Sequence, residues 1–150
     1  MNNEIYFCGS IHGGRDDAAV YARLIKHLRK YGTVLTEHVG DEDLLEEEKN
    51  LSTAEVHDRD VSWLRKAKTI VAEVTQTSTG VGYEIGRSVE RNEWVSPEQR
   101  QHILCLYRLD AGKKLSPMIE GGSGIVMKKY NALEEAFHHI DDFFHKIKEQ

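Results

Sequence analysis

Residues 69–90, "TIVAEVTQTSTGVGYEIGRSVE", run from a strand through a polar turn into a helix. "TIVAEVT" (69–75) is rich in β-branched residues and almost continuously apolar, as a strand covered on both faces must be. The turn that follows is made of small hydroxylated residues and glycine. Helical spacing resumes from about Val81 to Arg91. A strand, a short turn and a helix make half of a parallel crossover unit.

The same alternation extends in both directions. "EIYFCGS" (4–10), "TVLTEHV" (33–39), "HILCLYR" (102–108) and "IVMKKY" (125–130) read as four more strands. Helical periodicity fills 16–31, with Asp16 and Asp17 suited to its start and Gly32 to its stop. Ser52 and Glu55 form a capping box that opens a helix running to about Ala67. Leu133, Phe137, Ile140, Phe144 and Ile147 form one stripe of a closing helix over 131–148. The acidic stretch 40–50 reads as a solvated loop or frayed helical turn, with Glu46–Glu48 facing solvent. Segments 92–101 and 109–124 read as connections. This order predicts an α/β fold, a three-layer sandwich with a five-stranded parallel sheet and helices on both faces.

The totals narrow the class. A chain of 150 residues, 39% apolar and 30% charged, suits one globular domain spanning 1–150 rather than a disordered chain. No apolar run approaches the roughly 20 residues that cross a bilayer, and the start of the chain lacks the marks of a signal peptide. Cys8 and Cys105 sit inside apolar strands, which suits reduced thiols and hence a cytoplasmic or nuclear protein. A net charge of −5 argues against a nucleic-acid polymer as partner but leaves room for one small phosphorylated ligand.

In parallel α/β folds ligands sit beyond the carboxyl ends of the strands. There the chain places "GSIHGGR", "TEHV", "TQTSTGVGYE" and the loop carrying "KLSPMI". The glycines of the first permit an anion-cradling turn, or equally a plain strand-to-helix turn. Ser78 and Thr79 precede a helix N-terminus able to meet a phosphate. Glu84, expected in the first helical turn, would be held ionised by the helix dipole, as a nucleophile requires; the same position also suits simple helix stabilisation. Asp60 shares a face with Val56 and Leu64, so it needs either an ion-pair partner or a task, and burial would raise its pKa. Two carboxylates in different environments fit glycosidic-bond cleavage. Tyr6 is either a core aromatic or a group that orients one of them. His38, at the end of the second strand, is placed to touch a ligand. His138 and His139 read as solvated, and no metal site is expected.

The segments "YFCGSIHGGR", "YGTVLTEHV", "DVSWLRKAKTIVAEVTQTSTGVGYEIGR", "ILCLYR" and "LSPMI" together resemble the 2'-deoxynucleoside 5'-monophosphate N-hydrolases of the nucleoside 2-deoxyribosyltransferase family. The resemblance implies a Rossmann-like (flavodoxin-like) fold, a homodimer, no cofactor, and hydrolysis of a deoxynucleotide to free base and 2-deoxyribose 5-phosphate. It implies Glu84 as nucleophile, Asp60 assisting the leaving base or holding the sugar, and Tyr6 orienting the nucleophile. It places Gly9, Ser10, Ile11, His12, Gly13 and Gly14 along the pocket with Arg15 nearby. Ser78 and Gly80 take the 5'-phosphate, and Ser116 reaches the neighbouring subunit's site. The chain departs from the family's pattern at His12, where an arginine is usual, and at Thr77, where relatives can carry proline. A deoxyribosyltransferase and a non-catalytic nucleotide sensor on the same fold are the competing readings.

Overall fold

The computed structural model describes residues 3–11, 16–41 and 43–150. His12, Gly13, Gly14 and Arg15 of the first glycine turn lie outside the described residues. Five strands, β1 (Glu4–Cys8), β2 (Thr33–Val34), β3 (Thr69–Glu73), β4 (His102–Arg108) and β5 (Ile125–Tyr130), form one parallel sheet in the order β2-β1-β3-β4-β5. This is a Rossmann-like α/β fold of the flavodoxin-like order; the alternation predicts its parallel sheet with helices on both faces, and the family resemblance implies the Rossmann-like arrangement. The chain steps one way from β1 to β2 and the other way to β3. Its topological switch point therefore lies between the carboxyl ends of β1 and β3.

The period of two along β1 sorts the core into two layers. Ile5 and Phe7 face one side, joining Val71, Leu104 and Leu106 under helices α1 (Ala18–Leu28) and α6 (Leu133–Lys148). Tyr6 and Cys8 face the other, with Ile70, Ala72, Ile103 and Cys105 under α3 (Thr53–Lys66) and α4 (Thr79–Trp94). The remaining helices, α2 (Leu44–Glu48) and α5 (Pro117–Glu120), are single turns. The capping box on α3 is complete: Glu55 N–H donates to Ser52 Oγ at 3.1 Å, and Ser52 N–H to Glu55 Oε2 at 2.7 Å. Among the described residues no helix is long and apolar enough to cross a membrane. Both thiols are free and buried. Cys8 and Cys105 each pair with Ala72 from opposite sides. They are thus two strand spacings apart, roughly 10 Å, too far to be bridged.

Several boundaries move. α1 ends at Leu28, and Gly32 is not its stop. A Cβ on Gly32 would meet Asn3 O at 1.9 Å, so glycine there lets the chain run against β1. α4 starts at Thr79 and runs to Trp94, longer than the expected 81–91. The second strand, expected over 33–39, is only Thr33–Val34. The ladder continues through Leu35 N–H to Ile5 O at 2.9 Å and is then taken over by a side chain. Thr36 Oγ1 accepts from Phe7 N–H at 2.8 Å and donates to Phe7 O at 2.7 Å. One hydroxyl thus satisfies both backbone groups of a buried residue, which frees the backbone to turn into a 3-10 helix at Glu37–Gly40. His38 therefore sits on that turn rather than at a strand end.

Thr36→Val keeps the shape but leaves two buried polar groups of Phe7 unpaired. We expect a loss of about 2 kcal/mol or more in urea denaturation, with the m-value unchanged.

Candidate active site

Beyond the switch point lies a cavity of about 380 Å³. Four elements build it. The chain just after β1 contributes Gly9 and Ile11, α2 its last residue Glu48, α3 the face of Val56, Asp60 and Val61, and α4 its N-cap Ser78 and its first two turns, including Gly80 and Glu84. Asp60 and Glu84, on different helices and 24 positions apart in the chain, open into this one space.

Glu84 stands in the second turn of α4, not the first, so the expectation that the helix dipole holds it ionised is overturned. The dipole acts within the first turn, and burial outweighs it. Burial and the neighbouring Asp60 charge push its pKa up to about 7, against hydrogen bonds from Tyr6 and Cys8 that favour the ionised form. Tyr6 is 2% exposed, with its hydroxyl directed to Glu84. Burial first, and then the Glu84 charge, hold the phenol far above its ordinary pKa, so it acts as a donor. The tyrosine is thus both a core aromatic and an orienting group.

Ser78 caps α4, its Oγ accepting from Val81 N–H at 3.3 Å. A Cβ on Gly80 would stand 3.9 Å from Ser78 Oγ and 4.0 Å from Glu84 Oε1, so hydroxyl and carboxylate flank the same open glycine. The first N–H groups of a helix have no helical partners, and the start of α4 at Thr79, Gly80 and Val81 lines the same cavity as the carboxylate.

Asp60 is half-buried. Burial raises its pKa, opposed chiefly by Arg59, whose Nε donates to Asp60 Oδ1 at 2.9 Å. Arg59 Nη2 also donates to Glu48 Oε1 at 2.5 Å and lies 3.3 Å from His38 Nε2. Glu48 is 7% exposed, contrary to the solvent-facing role expected of the acidic run; α2 turns it inward, where Arg59 neutralises it. His38 borders an adjacent hollow behind Glu48 and Arg59, not the main cavity. Burial and the Arg59 charge lower its pKa.

Other expected site residues fall elsewhere. Ser10 is fully buried and does not line the cavity; its N–H donates to Tyr21 Oη at 3.1 Å. Ser116 caps α5 and borders a separate hollow on the other side of the Ser78–Thr79 turn. Two rim residues were not anticipated. His57 Nε2 and Tyr83 Oη are 3.0 Å apart, and Arg87 donates to the same hydroxyl at 2.7 Å. His57 stands three residues before Asp60 on α3, a helical spacing that could have found it, whereas Tyr83 is next to Glu84 on α4 and has Arg87 as its helical neighbour.

The arrangement belongs to a defined class. The sequence pattern of the nucleoside 2-deoxyribosyltransferases matches residues 5–114, and the chain belongs to the nucleoside 2-deoxyribosyltransferase family. Among its relatives, the protein named 5-hydroxymethyl-dUMP N-hydrolase of Tetraodon nigroviridis is 43% identical over 150 residues, covering 97% of this chain and 99% of that protein. The proteins of the same name from Danio rerio and Esox lucius are 52% identical over 121 residues and 43% over 146. These alignments cover 79% and 93% of this chain, and 78% and 94% of the relatives.

The raised pKa of Glu84 has a cost in stability. A carboxyl group with a folded pKa above its unfolded value contributes stability that is present below the unfolded pKa. That contribution is lost as pH rises from about 4.5 to about 7. Glu84→Gln removes the loss. We expect the variant to be more stable than the parent by on the order of 2 kcal/mol at pH 8, and nearly equal to it at pH 4, by chemical denaturation.

Proposed function

We propose that this chain, as one domain over residues 1–150, hydrolyses the N-glycosidic bond of 2'-deoxynucleoside 5'-monophosphates. The substrate we favour is 5-hydroxymethyl-dUMP, after the names of the relatives. The observation that carries the reading is the cavity itself. Glu84, held by Tyr6, faces the same space as Asp60 and stands beside the Ser78–Gly80 helix start.

The 5'-phosphate binds at Ser78 and the first α4 amides, where aligned N–H groups favour an anion. That anchor brings the anomeric carbon to Glu84. An oxygen of Glu84 bonds to C1' as the C1'–N bond breaks, and the bond's electron pair leaves with the base. Asp60, its pKa raised by burial, supplies the proton the base needs. Water then attacks C1', gives a proton back to Asp60, and the ester to Glu84 breaks, leaving 2-deoxyribose 5-phosphate. Positioning and electrostatics carry the reaction, and the scheme uses no cofactor. Gly9 and Ile11 wall the sugar. Ser116 reaches the phosphate in a neighbouring copy of the chain, making the working unit a homodimer. The 83% exposure of Met118, two residues on, supports a covered surface there. Buried free thiols suit the cytoplasm or nucleus.

Chromatography of the products tests this. We expect free base from 5-hydroxymethyl-dUMP and a kcat/KM about 10²-fold or more lower on the bare nucleoside, because remote phosphate binding orients the reacting bond. Glu84→Gln should lower kcat by roughly three orders of magnitude while nucleotide still binds. Since the nucleophile must be ionised, kcat/KM should climb as pH approaches about 7 from below. A new nucleoside on adding a foreign base would mark a transferase, and binding without turnover a sensor.

A further inference from the structure

Arg59 is not needed by the scheme above, yet it is held from several directions. Neighbouring residues on a helix project about 100° apart, so Arg59 meets Asp60 only by folding back. Its Nε donates to Asp60 Oδ1 at 2.9 Å, and its Nη2 to Glu48 Oε1 at 2.5 Å. Its guanidinium lies 5.0 Å from the Trp63 ring, itself packed on His38. Contacts thus come from α2, from the Glu37–Gly40 turn and from the next turn of α3. An unconstrained arginine would extend its head into water.

Arg59 also stands on the far side of a wall. Glu48 borders both the main cavity and the hollow of about 370 Å³ behind it, whereas Arg59 and Trp63 border only the latter. The guanidinium therefore approaches Asp60 from outside the cavity and does not compete with a nucleotide for space. A planar fork pinned at one end by a buried carboxylate can fix the rotation of a second carboxylate, which a lysine cannot do.

We propose that Arg59 is a positioning residue for the hydrolase: anchored by Glu48, it holds one carboxylate oxygen of Asp60 from behind, so that the other faces the reacting nucleotide. The inference rests on the hydrolase reading, and the charged or titratable groups that face Asp60 define its test. They are Arg59 on α3, His38 on the 3-10 turn, Glu48 on α2, Glu84 on α4, and Tyr6 and Cys8 on β1.

The test uses the full chain and 5-hydroxymethyl-dUMP. Arg59→Gln should lower kcat about 10- to 100-fold with KM within about threefold. In an Asp60→Asn background the same change should alter kcat less than about twofold, because its effect passes through Asp60. Additive losses would overturn the inference, leaving Arg59 a support of the fold alone. Arg59→Lys, which keeps charge without the fork, should fall between wild type and Arg59→Gln. An activity-independent readout is the ¹³C titration of the Asp60 carboxyl, which should move to higher pH in Arg59→Gln; an unmoved titration would also overturn it. Should Arg59→Gln fail to fold, Arg59→Lys carries both the cycle and the titration. Absence of turnover in the wild type sinks the hydrolase reading instead, while the titration still decides whether Arg59 governs Asp60.

Discussion

Two carboxylates must share one poorly solvated space, and the rest of the site is arranged around that repulsion. Burial alone would neutralise both Asp60 and Glu84. Each therefore has its own compensation from a separate layer. Glu84 receives the Tyr6 hydroxyl and the Cys8 thiol from the sheet, while Asp60 receives the Arg59 guanidinium from its own helix. A phenol and a thiol donate without adding positive charge, so Glu84 stays poised near neutrality. At Asp60 burial raises the pKa and the guanidinium opposes it with a positive charge, so the two carboxylates stand in chemically different surroundings. The pair is thus made unequal, which two-carboxylate chemistry requires.

The sheet is what delivers those donors. Because side chains alternate along β1, Tyr6 and Cys8 point to the α3/α4 layer, and Ile5 and Phe7 to the α1/α6 layer. A slip of one residue in the β1–β3 register would exchange these sets and bury two aliphatic or aromatic groups against Glu84. The switch point adds the opening: β2 and β3 lie on opposite sides of β1, so the chain diverges there at the carboxyl ends of the strands. Thr36 then replaces a strand's backbone with one hydroxyl, turning the chain early enough to bring His38, α2 and Glu48 to the back of the site.

Much of this was legible in order along the chain. The five strands, the α3 capping box and the α6 stripe follow from local periodicity and side-chain-to-backbone geometry, which act within a few residues. Asp60 could be marked because a charge on an apolar stripe conflicts with its surroundings. Glu48 could not. It lies in a run of three glutamates without a clear stripe, and its burial is made tolerable by the approach of Arg59 from another helix. The second strand is shorter than its residues suggest for a related reason: β-branched Thr33, Val34 and Thr36 suit a strand, but whether Thr36 extends the ladder or caps it depends on Phe7, 29 positions away.

By itself, then, the amino-acid order determined the fold class, the succession of elements and the residue types able to break a glycosidic bond. Those depend on short-range periodicity and on side-chain chemistry. Tertiary packing alone decided that Asp60 and Glu84 meet in one cavity, that burial rather than the helix dipole governs Glu84, and that Arg59 reaches both Glu48 and Asp60. Desolvation and Coulomb interaction depend on distance in space, which sequence separation does not encode.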